Sequence, residues 1–277
     1  MLGTKILFMI KKTFKKILFV GLFFYLPFTT MAWGVLGHRI VGQIADSYLT
    51  PAAKNAIHKI LGTESVALAT NWPDFIKSDT SFAYLSPWHY VNIKAGMTME
   101  QVNDFLDKDT AVDAYTKINF LIKQLKNKKL SPSNKVFYLR LLIHIVGDIH
   151  QPMHVGRLDD LGGNKIKISW FSAASNLHRV WDEQLINFQQ LSYTEYTAAI
   201  NYTTPAQRKA WQKQGLKEWI YESYQSAEKI YADVKPDDKL DYLYNFKFIA
   251  LVNTQLLKGG VHLAGLLNEI YGKQEPR

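Results

Sequence analysis

His144 and Asp148 stand four residues apart in the stretch HIVGDIHQPMH, residues 144–154. On a helix that spacing places two side chains on one face, one turn above the other. An imidazole and a carboxylate so arranged can reach a single ion. His150 and His154 repeat the spacing, but Pro152 lies between them. That proline ends or bends the helix, which redirects His154. His178 and Asp182, in LHRVWDEQ, make a third such pair. Each pair alone arises often by chance. Together, in a chain of 277 residues without one cysteine, they point to a metal held by nitrogen and oxygen, and to zinc first. Asp74 follows Trp72-Pro73, and His89 sits in SPWHYVNI, so two more groups of the same kinds are at hand. A lone histidine is usually structural, so the case rests on the company these residues keep.

Helices must position most of these side chains. Residues 37–48 carry apolar residues at helical spacing, and Thr50-Pro51 starts a second helix that stops at Gly62. ALATNWPDFI reads as helix with a proline break, and Thr98 with Gln101 forms a capping box before VNDFL. Residues 111–128 form an amphipathic helix with a basic end, and Pro132 opens another that runs to Pro152. WHYVNIK near residue 90 and NKIKISWF after Gly162-Gly163 read as extended. Beyond residue 190 the pattern is helical again, punctuated at Thr204-Pro205, Lys235-Pro236 and Gly259-Gly260. The expected fold class is therefore all-α: a single, mostly helical domain with a few short extended segments.

The first 32 residues differ in kind. MLGTKILFMIKKTFKK is basic without an acid, ILFVGLFFYLPF is apolar, and TTMA is small and polar. This is the layout of a secretory signal cut after Ala32, leaving residues 33–277 as the working domain. The apolar run is short for a membrane span. Five lysines leave with the signal, so the formal charge falls from +9 to +4, with 28 basic residues against 24 acidic ones. So mild a balance accepts a polyanionic substrate without demonstrating one. An apolar fraction of 47% excludes wholesale disorder and supplies a core. An exported chain with no cysteine has no disulfides, so a large core or metals must hold it.

Six motifs together resemble the secreted zinc-dependent, single-strand-specific nuclease family, the nuclease S-one/P-one family, a structural cousin of zinc phospholipase C. They are WGxxGH at 33–38, NWPD at 71–74, WHY at 88–90, HIVGDIHQPMH at 144–154, GGN at 162–164 and LHxxWD at 177–182. The resemblance spans essentially the whole chain after residue 32. It implies a mature enzyme that begins at Trp33, whose α-amino nitrogen and carbonyl oxygen bind zinc. An α-amino group titrates at about 7.7–8.0, so a metal readily holds it deprotonated. Signal cleavage then creates a ligand.

The resemblance implies three zinc ions. Asp74, His89, His144 and Asp148 hold one; Trp33, His38 and a bridging Asp148 hold a second; His154, His178 and Asp182 hold the third. All nine positions are present, while His58, His150 and His262 fall outside the set. Zinc lowers the pKa of bound water from about 15.7 to roughly 7, which supplies a nucleophile for a phosphodiester. The implied catalytic residues are Asp74, Lys77 and Asp148, and the implied products carry a 5′-phosphate and a 3′-hydroxyl. Tyr90 stacks a base, Asn92 stands where several members have an acid that contacts it, and Asn164 adds a polar group to the cleft. Lys77 replaces an arginine that contacts phosphate, keeping the charge but losing the planar fork. The implied substrates are single-stranded DNA and RNA and 3′-nucleotides. No protein partner is implied, the expected state is a monomer, and the destination is periplasm or medium. The missing disulfides suggest a bacterial-type variant. Two rivals share the metal set: a zinc phospholipase C, which has glutamate where Asp182 stands, and a non-catalytic zinc-binding envelope protein.

Overall fold

The computed structural model describes residues 33–272; the expected signal segment, with its expected cleavage after Ala32, lies outside the described residues. Among the described residues nine main helices carry the fold. They are α1 (Val35–Ser47), α2 (Pro51–Leu61), α3 (Met99–Lys108), α4 (Ala114–Leu125), α5 (Pro132–Asp148), α6 (Tyr193–Ile200), α7 (Pro205–Trp211), α8 (Leu216–Asp233) and α9 (Tyr242–Tyr271). Short helical turns lie between them, notably Val66–Ala69, Trp72–Phe75 and Pro152–Val155. The architecture is the mostly helical one that the periodicity calls for.

Local chemistry explains where the helices begin. The side chains of Thr50 and Ser131 accept from the backbone N–H groups of Ala53 and Asn134, each with a proline in the first turn behind it. Thr98 and Gln101 cap α3 reciprocally, and Asp113 with Thr116 does the same for α4. These caps satisfy donors that the first turn of a helix leaves open, at about 1 kcal/mol each.

Of the two segments that read as extended, one forms a strand, and the sheet includes two strands that the pattern did not mark. The strands β1 (Lys167–Trp170), β2 (Ala173–Asn176) and β3 (Lys239–Leu240) form a small sheet in the order β2-β1-β3, the first pair antiparallel and the second parallel. The stretch after His89 is extended but joins no strand. Val91 N donates to His154 O at 2.9 Å, and Ile93 N donates to Gly156 O at 3.1 Å. That pairing ties the chain beside His89 to the chain beside His154.

Gly259-Gly260 does not punctuate the C-terminal region. Both lie inside α9, which runs unbroken for 30 residues. Their role is close approach: a Cβ on Gly260 would lie 2.4 Å from Ile44 of α1. Helix α9 packs along α1, α2 and α5, and the buried faces share one core that includes Trp33, Ile40, Leu142, Trp181 and Leu256. Helix α5 is the centre of that arrangement. Every residue from Leu141 to Asp148 is buried, so its last turn delivers His144 and Asp148 into a dry interior.

Candidate metal centre

Six separate pieces of backbone converge at the end of α5. Helix α1 brings His38. The turn Trp72–Phe75 brings Asp74, and the 3-10 stretch Thr80–His89 ends on His89. Helix α5 brings His144 and Asp148 and then stops, so the Pro152–Val155 turn carries His154 back toward the same place. His178 lies in a short helical turn that widens into a π-helical one holding Asp182. All eight side chains are buried.

The ligand atoms fall into three groups, each within 4.8 Å: His38, His144 and Asp148; Asp74, His89 and His144; and His154, His178 and Asp182. Asp148 links them. Its Oδ1 lies 3.3 Å from His38 Nε2 and 3.7 Å from His154 Nδ1. Its Oδ2 lies 2.9 Å from His89 Nδ1 and 3.2 Å from His144 Nε2. His144 Nε2 and His89 Nδ1 face each other at 3.0 Å. In the third group, Asp182 reaches His154 Nε2 at 3.4 Å and His178 Nε2 at 3.1 Å.

Backbone carbonyls set the imidazoles. Thr70 O, His89 O and Gly162 O accept from Nδ1 of His144, His154 and His178 at 2.5, 2.6 and 2.7 Å. A proton fixed on Nδ1 leaves the Nε2 lone pair free and aimed inward, which is how metal-binding histidines are held. Gly162 makes this possible at His178: its φ is +62°, and a Cβ there would lie 2.4 Å from Met153 O.

The geometry fits cations. Both ring nitrogens of His38, Nε2 of His89 and His154, Oδ2 of Asp74 and Oδ1 of Asp148 are buried without a hydrogen-bond partner. An unmade bond of this kind costs roughly 1–3 kcal/mol per group. Inward lone pairs with no proton between them repel; a divalent ion removes both penalties. Nitrogen and carboxylate donors together suit zinc better than calcium or magnesium.

The electrostatics carry the same signature. Burial works against ionisation of Asp148, yet His144 and His154 hold its carboxyl well below the usual range. Burial likewise opposes the Asp74 carboxylate, but His144 and Lys77 keep it at about 2. His89 is pushed down to about 4 by burial. Burial also disfavours the His154 cation, but Asp148 and Asp182 raise the group to about 9. So dense a set of displaced titrations marks a functional site.

A family model described as S1/P1 Nuclease matches residues 33–272. The chain belongs to the S1/P1 nuclease family. It is similar to Endonuclease 5 of Arabidopsis thaliana, with 30% identity over 274 residues covering 87% of this chain and 91% of the relative. Nuclease P1 of Penicillium citrinum is 26% identical, covering 87% of this chain and 99% of that one. Nuclease S1 of Aspergillus oryzae is 29% identical over 167 residues, covering 56% and 55%. As a member of this nuclease family the protein is a hydrolase, and its His/Asp groups are the ones described above.

Around that S1/P1 centre the remaining expected residues take different places. Lys77 donates to Asp74 Oδ1 at 2.6 Å, so its ammonium is engaged with a carboxylate at the rim of the site. Tyr90 is exposed and opens the extended segment, with Asn92 half-buried two residues on. Asn164 is tied to its own turn, donating to Leu161 O at 2.8 Å. The sequence reading passed over Gln151, which is fully buried. Its Nε2 donates to Asp182 Oδ1, and its Oε1 accepts from Met153 N. Its position between His150 and Pro152, where a helix must end, was the available signal.

Proposed function

We propose that the protein is an exported, three-zinc nuclease specific for single strands. It hydrolyses DNA and RNA to 5′-phosphorylated products and removes phosphate from 3′-nucleotides. The observation that carries this reading is the trio of adjacent buried His/Asp groups, in which six nitrogen and oxygen atoms have no hydrogen-bond partner in the protein. Zinc bound there would acidify water and neutralise charge on a phosphodiester.

The residues have distinct tasks. Asp148 stands between the groups and offers one oxygen to each side. Asp74, His89 and His144 complete one side, His38 the other, and His154, His178 and Asp182 the third position. Trp33 completes the His38 position through its terminal amine once the leader is cut after Ala32. One burial and one contact support that role. Trp33 is buried at the head of α1, and Gly34 N donates to Asp182 O at 2.7 Å, which draws the chain start onto the third group. Lys77 holds Asp74 and presents positive charge to a phosphate. Tyr90 offers an exposed ring to a base, and a duplex hides its base faces from such a ring.

Zinc analysis of protein beginning at Trp33, paired with cleavage assays, tests the reading. Three zinc equivalents and faster cleavage of single- than double-stranded DNA are expected. Hydrolysis of phosphatidylcholine with none of DNA would assign the centre to a phospholipase instead. Full zinc loading with a methionine left ahead of Trp33 would remove the terminal amine from the ligand set.

A further inference from the structure

Seven aromatic rings close a loop on the surface beside the centre. Trp72 meets Phe82 at 5.9 Å and Phe137 at 5.6 Å between ring centroids. Phe82 leads to Tyr84 at 6.4 Å, and Tyr84 to Trp88 at 6.1 Å. Trp88 meets Phe120 at 6.4 Å, Phe120 meets Tyr138 at 5.7 Å, and Tyr138 returns to Phe137 at 5.6 Å. Only Trp88 is buried; Tyr84 and Phe120 are 54% and 36% exposed. Two exposed rings stand among half-buried ones packed against the core, a surface patch suited to contact.

Two rings of the loop are sequence neighbours of residues in the centre. Trp72 lies two residues before Asp74, and Trp88 is the residue before His89. Its charge is suited to a polyanion. Lys117 Nζ stands 4.9 Å from the centre of the Trp88 ring and 5.6 Å from that of Phe120, and among the described residues no carboxylate pairs with it. Arg140 covers Trp72 at 5.4 Å while bonded to Glu64. Exposed Asp79 is the acid at the edge, and its carboxylate is taken up by Ser81 N. Exposed rings interleaved with a free ammonium are the elements of a single-strand track.

We propose that this aromatic face is an extended binding site for the single-stranded polynucleotide, taking nucleotides that flank the scissile phosphate. Tyr84 and Phe120 each stack a base, and Lys117 contacts a phosphate between them. The proposal rests on the nuclease reading, since it presumes a nucleic-acid chain at the neighbouring centre. It predicts that long substrates bind better than short ones through residues outside the metal groups.

The test uses zinc-loaded protein and two readouts. One is anisotropy of a labelled phosphorothioate (dT)12; the other is hydrolysis of a thymidine dinucleotide too short to reach the track. Replacing both exposed rings, Tyr84→Leu with Phe120→Leu, should weaken (dT)12 binding by on the order of tenfold, within the range of a lost base–aromatic stack. Dinucleotide turnover should change less than about twofold. Tyr84→Phe keeps the ring and should bind as the unaltered protein does, which separates stacking from general damage. Lys117→Gln should reduce the salt slope by about 0.7, the value for one phosphate on a single strand. Unchanged (dT)12 binding in the double variant overturns the proposal and leaves the face to a protein partner. Equal losses on both substrates overturn it too, because they place the damage in the centre. Absence of hydrolysis by the unaltered protein would show itself separately and strike the nuclease reading alone, because the anisotropy still reads the track.

Discussion

His144 and His150 are six residues apart at the end of α5, and both are buried. His144 gives Nδ1 to Thr70 O and turns Nε2 toward His89 and Asp148. His150 pairs Nδ1 with Val146 O at 2.7 Å and Nε2 with His262 Nδ1 at 2.7 Å. His262 passes its own Nε2 to Gln214 Oε1 at 2.9 Å and stacks on Trp219. One cluster leaves ring nitrogens without a partner in its interior, while in the other every ring nitrogen faces a polar atom of the protein. Burial is alike in the two. The accounting of hydrogen bonds separates them, because a buried lone pair is tolerated only where something outside the chain will satisfy it.

The sharpest way to break that contrast is Asp148→Asn. An amide keeps the shape but loses the charge that faces four imidazoles. Hydrolysis should fall by more than about 100-fold, the upper end for losing mere support around a metal ligand. Bound zinc should fall below three equivalents, read by metal analysis. Turnover within tenfold of the original would show that Asp148 does not join two ions. Gln151→Leu comes next. It strips Asp182 of the amide that orients it and should cost about 10–100-fold in zinc affinity, seen as release of one ion in a chelator titration. If all three ions stay equally tight, the amide only terminates the helix.

Much of this was legible in the sequence, in a particular way. Four-residue spacing placed His144 with Asp148 and His178 with Asp182, because both pairs lie on helical turns. Pro152 foretold the change of direction that sends His150 one way and His154 another. Side-chain caps at Thr50 and Thr98 were legible because they are local. The carbonyls of Thr70, His89 and Gly162 were not, since every residue carries one and only the fold selects which meets an imidazole. Gly259-Gly260 was misread for a similar reason. A glycine pair signals either a break or a close approach, and Ile44, which decides between them, is more than 200 residues away. The pairing of His150 with His262 spans 112 residues and left no local mark.

The paired cluster supplies the mildest and most discriminating prediction. His262→Leu leaves His150 Nε2 without a partner and should cost about 1–3 kcal/mol of stability, measured by thermal unfolding at pH 7. Hydrolysis per folded molecule should stay the same, which is the opposite of the result at Asp148. Loss of activity in folded, zinc-replete protein would place His262 in the working centre.

Acid sharpens the same comparison. Burial holds His150 at about 4 and His262 well below 6.5, so both are neutral in the fold. Below about pH 6.5 the unfolded chain takes up protons at these positions that the folded chain refuses. Their contribution to stability is therefore complete above that pH and declines as pH falls, down to about 4 for His150. Each group adds up to about 1.4 kcal/mol per pH unit to the slope. His262→Leu removes one of them, so unfolding midpoints between pH 6.5 and about 4 should depend less steeply on pH than in the unaltered protein. Added zinc competes with protons at the open cluster and shifts its acid transition. The ring nitrogens of His150 and His262 already face protein partners, so the difference between the two proteins should persist at every zinc concentration. If zinc abolishes that difference, the paired histidines exchange their partner for metal, and hydrogen-bond accounting no longer distinguishes the clusters.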